Sequence, residues 1–235
     1  MQGTVSADEV ARFDALAARW WDPNGPMRPL HRMNPARLAW IEERVARAFP
    51  GATALRVLDV GCGAGLAAEA LARRGFDVLG IDAAPDVIAA AAAHAAGAGL
   101  ALAYRVAAPE DLAAEGVRFP IVTALEVIEH VPDPALFVRT LAGLLQPGGL
   151  VVLSTLNRTA LSFAAAKIGA EYLLRWLPVG THDWRRFLTP AELAGGLRKA
   201  GLRVSDLAGL GLDPVSGRWR VGGGLSINYM IAARG

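Results

Sequence analysis

The run Asp59-Val60-Gly61-Cys62-Gly63-Ala64-Gly65 follows directly on a short apolar segment, Arg56–Val60, and leads into Leu66–Arg74, whose apolar residues have helical spacing. Alternate glycines at that junction let the backbone turn sharply from strand to helix and pass close to a ligand. A second apolar run, Asp77–Asp82, ends on an acidic residue, about 20 positions on, where a carboxylate can accept hydrogen bonds from ribose hydroxyls. Strand, glycine loop, helix and acid-tipped strand together predict a sheet that holds a nucleoside-type cofactor at the ends of its first two strands.

The same rhythm continues. Pro85–Ala96 reads as a helix, Leu100–Val106 and Ile121–Leu125 as strands, Pro134–Leu145 as a helix and Leu150–Leu156 as a fifth strand. Such alternation predicts an α/β fold of Rossmann-like type, with a mostly parallel sheet, helices on both faces and right-handed crossovers. Residues 6–49 read as helical and are broken by Pro23-Asn24-Gly25-Pro26, with helix resuming near Pro35. The segment Asn157–Leu188 interrupts the pattern. After it come a helix over Pro190–Ala200, a strand over Leu202–Leu207, a glycine-rich, hairpin-like excursion over Gly209–Gly224 and a last strand over Ser226–Ala232. The chain is therefore expected to form one domain: an N-terminal helical cap (1–50), a cofactor-binding core (51–156), an inserted lid (157–188) and the remainder of the sheet (189–235).

Composition narrows the partners. With 24 Lys+Arg against 22 Asp+Glu, the balance gives no electrostatic case for nucleic acid. A hydrophobic fraction of 53% excludes a disordered chain. The single cysteine, Cys62, rules out an intrachain disulfide and fits a reducing cytoplasm; it reads as a small packed residue. The N-terminal stretch carries Asp8, Glu9 and Asp14 and does not read as a secretory signal. The long run Val87–Ala108 is mostly alanine and too weakly apolar to read as a membrane span.

The glycine spacing separates cofactors. Dinucleotide sites use Gly-x-Gly-x-x-Gly to seat a pyrophosphate. Here the spacing is Gly-x-Gly-x-Gly with Asp59 just upstream, and a carboxylate there would repel a pyrophosphate yet attract an ammonium. Residues Val57–Gly65, with Gln146-Pro147-Gly148-Gly149 before the fifth strand, resemble the class I S-adenosylmethionine-dependent methyltransferases. A closer resemblance covers most of the chain. Phe13–Asp22, Pro29–Arg37, Leu125–Pro134, Ser154–Arg158, Gly169–Leu174, Gly180–Asp183 and Asn228-Tyr229-Met230 resemble the ubiquinone biosynthesis O-methyltransferases. That resemblance implies methyl transfer to phenolic oxygens of polyprenyl-substituted rings, at two steps of ubiquinone synthesis. It implies cofactor contacts at Arg37, Gly61, Asp82 and Leu125, to which the loop itself adds Asp59, Gly63 and Gly65. It also brings other ubiquinone-biosynthesis proteins into view as partners. The sequence departs from the family pattern at Pro120, where an acidic residue is usual, so a shifted strand start is expected there.

Methyl transfer needs an oxygen aligned behind the sulfonium methyl, about 3–3.5 Å away. A phenol, with a pKa near 10 by analogy to tyrosine, must also lose its proton to a base or to a metal. Glu126, Glu129 and His130 stand at the end of the fourth strand and would share one face of a helix starting there. Family members are associated with a divalent metal at this triplet, so Mg²⁺ or Zn²⁺ is a candidate cofactor. The competing reading gives Glu126 a loop-organising role and makes His130 a satisfied, partly buried histidine. Glu126 and His182 are the candidate catalytic residues, His182 as a general base or as a loop-ordering partner of Asp183. Trp20 and Trp21 read equally as core and as substrate lid.

A polyprenyl substrate sits in lipid. The insertion interleaves Leu161, Phe163, Ile168, Tyr172 and Trp176 with Lys167, Arg175, Arg185 and Arg186. That composition suits either a helical cap over the site or peripheral contact with an anionic membrane surface. Three other functions compete: a methyltransferase of another small phenol, a non-catalytic cofactor- or lipid-binding subunit, and a nicotinamide oxidoreductase, which the glycine spacing disfavours.

Overall fold

The computed structural model describes residues 3–163, 184–213 and 216–235. In chain order these form α1 (Ala7–Asp14), α2 (Arg28–Ala48), β1 (Arg56–Val60), α3 (Leu66–Ala72), β2 (Asp77–Asp82), α4 (Pro85–Gly97), β3 (Ala103–Val106), α5 (Pro109–Ala114), β4 (Phe119–Leu125), α6 (Pro134–Gly143) and β5 (Leu145–Leu156). The single turn α7 (Ala160–Ser162), α8 (Pro190–Lys199), β6 (Arg203–Leu212), β7 (Trp219–Val221) and β8 (Asn228–Arg234) follow. The strands make one sheet in the order β3-β2-β1-β4-β5-β8-β6-β7. β1 to β5 pair in parallel, whereas β8 runs antiparallel to both β5 and β6. The strand order reverses between β1 and β4, which opens a crevice at their carboxyl ends.

Alternation along each central strand splits the core into two layers. Leu58, Val122, Leu153 and Ile231 point to one face, against Phe137 and Leu141 of α6 and Leu193 and Leu197 of α8. Their neighbours Val57, Ile121, Val152 and Met230 point to the other, against Leu38 and Ile41 of α2 and Leu71 of α3. Proline opens α4, α5, α6 and α8 at the first helical position, where its missing N–H costs nothing. Asp133 and Thr189 cap α6 and α8 by accepting the backbone N–H of Leu136 and Glu192.

The α/β architecture expected from the sequence is the one observed, with local differences. α2 starts at Arg28 and carries Pro35 inside it, where the sequence suggested that helix resumes. An interior proline costs about 3 kcal/mol, and the burial of Met33, Leu38, Trp40, Ile41 and Val45 along the same helix offsets it. α5 was not legible from the sequence: it is a six-residue helix with only Pro109 and Leu112 buried, too short for a periodic signal. At Pro120 the β4–β5 register shifts between Phe119 and Ile121, as the missing N–H requires. The glycine-rich excursion is a hairpin in which β6 extends to Leu212 and β7 returns along it, Leu212 pairing with Trp219. Among the described residues, no helix is long and apolar enough to cross a membrane.

Candidate active site

The loop between β1 and α3 holds Gly61, Gly63 and Gly65 at φ values of 66°, 55° and 90°, in the left-handed region that glycine alone adopts freely. Neighbours close over it. A Cβ on Gly63 would lie 2.3 Å from the Trp20 ring, and one on Gly61 would lie 2.5 Å from Val127. Trp20 is buried, and Trp21 donates its indole N–H to the Ala64 carbonyl at 2.9 Å while stacking on His94. The tryptophan pair thus clamps the N-terminal segment onto the glycine loop, with Trp20 also lining the cavity beside it. Asp82, at the tip of β2, accepts the N–H of Gly63 and of Ala84, each at 3.0 Å. A carboxylate has about four acceptor sites, so capacity remains for a sugar's hydroxyls.

A cavity of about 490 Å³ runs from this loop across the carboxyl ends of β1 and β4. Two buried charges line it without full partners. Arg37, on α2, is 2% exposed. Its Nη2 donates to Asn34 Oδ1 at 3.1 Å, while Nε and Nη1 have no hydrogen-bond partner. Burial pulls its pKa below the ordinary value, opposed by the charges of Glu126, Asp59 and Glu129. Asp59, on β1, accepts a hydrogen bond from Thr123 Oγ1 at 2.7 Å on one oxygen and none on the other. Burial pushes it up to about 6, against the bond from Thr123 and the Arg37 charge. Buried polar atoms are nearly always satisfied, so a cation and an anion left open on one cavity make a site for a zwitterion. The amino-acid end of S-adenosylmethionine fits: its carboxylate suits the guanidinium and its ammonium suits Asp59.

Glu126 stands at the end of β4 with φ 57°, a left-handed conformation that costs a non-glycine residue about 1–3 kcal/mol. Three groups hold its carboxylate. Ser154 Oγ donates at 2.6 Å, Asn228 Nδ2 reaches both oxygens at 3.1 and 3.2 Å, and Arg37 Nη1 lies 3.9 Å away. Backbone strain kept by such a network marks a position set by the site rather than by local preference.

Residues 30–207 match the family model described as Methyltransferase domain, more than half of the chain. Among curated relatives, the ubiquinone biosynthesis O-methyltransferase of Azorhizobium caulinodans is 48% identical, over 98% of this chain and 94% of that protein. Those of Methylobacterium nodulans and Cereibacter sphaeroides are each 49% identical, over 98% of this chain and 95% and 96% of theirs. The chain belongs to the ubiquinone biosynthesis O-methyltransferases. It is an S-adenosylmethionine-dependent O-methyltransferase by that membership. Solved structures agree on the fold. Magnesium protoporphyrin IX methyltransferase from Synechocystis, with bound SAH, gives a TM-score of 0.67 at 18% identity over 97% of this chain and 99% of that one.

Within this O-methyltransferase, the residues expected at the cofactor line one cavity: Arg37, Asp59, Gly61, Gly63, Asp82 and Leu125. Gly65 turns the loop into α3, as its cap residue. The helical face expected for Glu126, Glu129 and His130 is not the geometry observed. The turn at Ile128–His130 is a 3-10 helix that starts after Glu126, so Glu126, Glu129 and His130 do not share a helical face. Glu126 is held by Ser154 and Asn228, Glu129 accepts from Thr155 Oγ1 at 2.8 Å, and His130 Nδ1 lies 3.0 Å from Glu9. Among the described residues, no three His, Cys, Asp or Glu side chains are placed to hold a metal ion. Burial, reinforced by the Glu126 charge, pushes Glu129 up to about 7. Burial opposes a charge on His130, but the Glu9 bond and the charges of Glu129, Glu9 and Glu126 outweigh it and raise its pKa. His182, with Lys167 and Arg175, lies outside the described residues. Sequence reasoning missed Asn228 and Ser154 as partners of Glu126, and Glu9 as a partner of His130; only the fold joins residues so distant in the chain.

Proposed function

We propose that the chain methylates ring hydroxyls of polyprenylated phenol and demethylubiquinol-type acceptors, at two steps, using the buried pair Arg37 and Asp59 to fix the methyl donor. The open Arg37 N–H groups and the open Asp59 oxygen on one cavity carry this reading. Asp82 takes the ribose hydroxyls, and the glycine loop lets the cofactor approach the backbone. S-adenosylmethionine supplies an electrophilic methyl on a sulfonium, so the protein's task is alignment and removal of the phenolic proton. Glu126 lies at the end of β4 on the cavity wall and is the residue we assign to the acceptor hydroxyl. Its bonds from Ser154 and Asn228 fix the carboxylate: Oε1 already accepts two, whereas Oε2 accepts one and retains acceptor capacity for an incoming O–H. His182 is the second candidate for the proton.

Peripheral contact with an anionic bilayer fits a substrate dissolved in lipid. Leu161 and Phe163 are exposed at the described start of the insertion, 55% and 39%, and Arg185 and Arg186 stand at its described end. Apolar side chains beside basic ones suit the headgroup region. The reading also fits a cytoplasmic protein meeting the inner face of the membrane, alongside other proteins of the same pathway. The test is a methyl-transfer assay on a short-chain prenylated catechol and on a soluble catechol without a tail. Faster transfer to the prenylated ring supports the assignment. Transfer to the soluble ring alone would refute it.

A further inference from the structure

The cavity does not stop at Glu126. Beyond Glu126 and Asn228 it continues as an apolar wing lined by Leu30 and Met33 of α2, Leu210, Leu212 and Trp219 of the β6–β7 hairpin, and Ile227. Sheet register fixes its position. Leu156, Asn228 and Leu210 stand side by side in one row across β5, β8 and β6, at the carboxyl edge of the sheet. The Leu212–Trp219 pair is two residues further along the hairpin, about 7 Å beyond that row at about 3.3 Å per residue. The hairpin therefore stands above the sheet and extends the wall of the cavity. Leu30 and Trp219 pack against the core that holds Met33 and Leu210, so α2 and the hairpin meet along this wing. Leu212 is 47% exposed, which marks the outer end. The segment that joins β7 to β8 packs closely on β6 because Gly209 lacks a side chain: a Cβ there would lie 2.0 Å from the Gly224 carbonyl oxygen.

None of the six side chains carries a charge, so the wing offers nothing to the charged and hydroxyl groups of the cofactor, which Arg37, Asp59 and Asp82 already suit. We propose that this wing is the binding site of the acceptor's isoprenoid tail, with the first isoprene units lying between α2 and the β6–β7 hairpin and the chain leaving past Leu212. An all-hydrocarbon chain has no polar atom to satisfy, and it removes apolar wall from water along its whole length. The inference rests on the methyl-transfer reading above and adds a specificity site that the reading does not contain. Recognition through the tail would let one protein accept rings at different stages of substitution, because the contact lies away from the reacting oxygens.

The test compares two catechols with the same ring, one without a tail and one bearing a geranyl tail, across wild type, Leu212→Asp and Trp219→Ser. The readout is the ratio of kcat/KM for the geranyl acceptor to that for the tail-less one. Wild type is expected to favour the geranyl acceptor, and each variant to lower the ratio about tenfold or more. Leu212 is exposed, so its substitution leaves the packing intact, and thermal unfolding of both variants checks this. An unchanged ratio, including an equal loss on both acceptors, overturns the tail site while leaving the methyl-transfer reading in place. If wild type methylates neither acceptor, that reading fails and the tail site fails with it.

Discussion

Replacing Arg37 with methionine separates a cofactor ligand from a structural arginine, because the two roles predict different losses. Without cofactor, the guanidinium has one hydrogen bond, to Asn34, and lies 3.9 Å from Glu126. At an effective dielectric of about 20, the attraction to Glu126 is worth about 4 kcal/mol, and the bond to Asn34 adds about 1.5–3 kcal/mol. Against these stands the cost of burying the ion, several kcal/mol after relaxation. The terms nearly cancel, so Arg37→Met is expected to change apo stability by no more than about 2 kcal/mol. That is a shift in Tm of about 4–8 °C in either direction for a chain of this size. Cofactor binding has no such cancellation. Truncating one partner of a buried, hydrogen-bonded charge pair costs about 2–5 kcal/mol, which weakens Kd about 30-fold to 5,000-fold. Calorimetric titration with S-adenosylmethionine, beside melting curves with and without it, reads both. Wild type at a hundredfold excess over Kd gains about 2.7 kcal/mol of stability, and the variant gains no more than about 0.9 kcal/mol at the same concentration. An apo Tm lowered by much more than about 8 °C with an unchanged Kd would show that Arg37 holds the fold and not the cofactor.

Four further outcomes follow from the same geometry. Asp59 sits at about 6 in the free protein and must be ionised to hold an ammonium; binding therefore lowers its pKa, and cofactor affinity rises with pH toward a plateau above about 6. Below that it falls by up to about tenfold per pH unit, and titrations of Asp59→Asn across the same range should lose this slope. Gly63→Ala places a methyl into the Trp20 ring at a left-handed φ, so it should lower stability by about 1–3 kcal/mol in denaturant melts and weaken cofactor binding with it. Asn228→Ala removes the donor that spans both Glu126 oxygens and should lower kcat about tenfold or more with little change in cofactor Kd, since the group acts on the acceptor side. Charge reversal at Arg185 and Arg186 should reduce co-sedimentation with anionic vesicles; equal binding by the variant would remove the membrane role of the insertion.

The sheet and its cofactor end were legible in the sequence for a physical reason. Central parallel strands are buried on both faces, so Arg56–Val60 and Leu150–Leu156 read as apolar runs, and the glycine loop carries its own turn chemistry. Asp82 was legible because the distance along one β-α-β unit fixes which strand end it occupies. The acceptor side was not. The expected metal face assumed that the chain turns helical at Glu126, but Glu126 takes a left-handed conformation and the turn begins only at Ile128. Nothing local in the sequence signals that φ; it is held by Ser154 on β5 and Asn228 on β8. The length of β6 was hidden for a similar reason. Its outer residues Gly209–Leu212 alternate glycine with leucine, a weak strand signal, and they extend because β7 and β8 supply partners.

In the proposed function, this cavity brings a methyl donor to a ring oxygen of a prenylated acceptor. A single-turnover reaction with S-adenosylmethionine carrying a deuterated methyl, followed by mass spectrometry of a geranyl catechol, tests it most directly. The label is expected on a ring oxygen, in step with formation of S-adenosylhomocysteine. Tight cofactor binding with no label on the ring, or label on carbon, would contradict it.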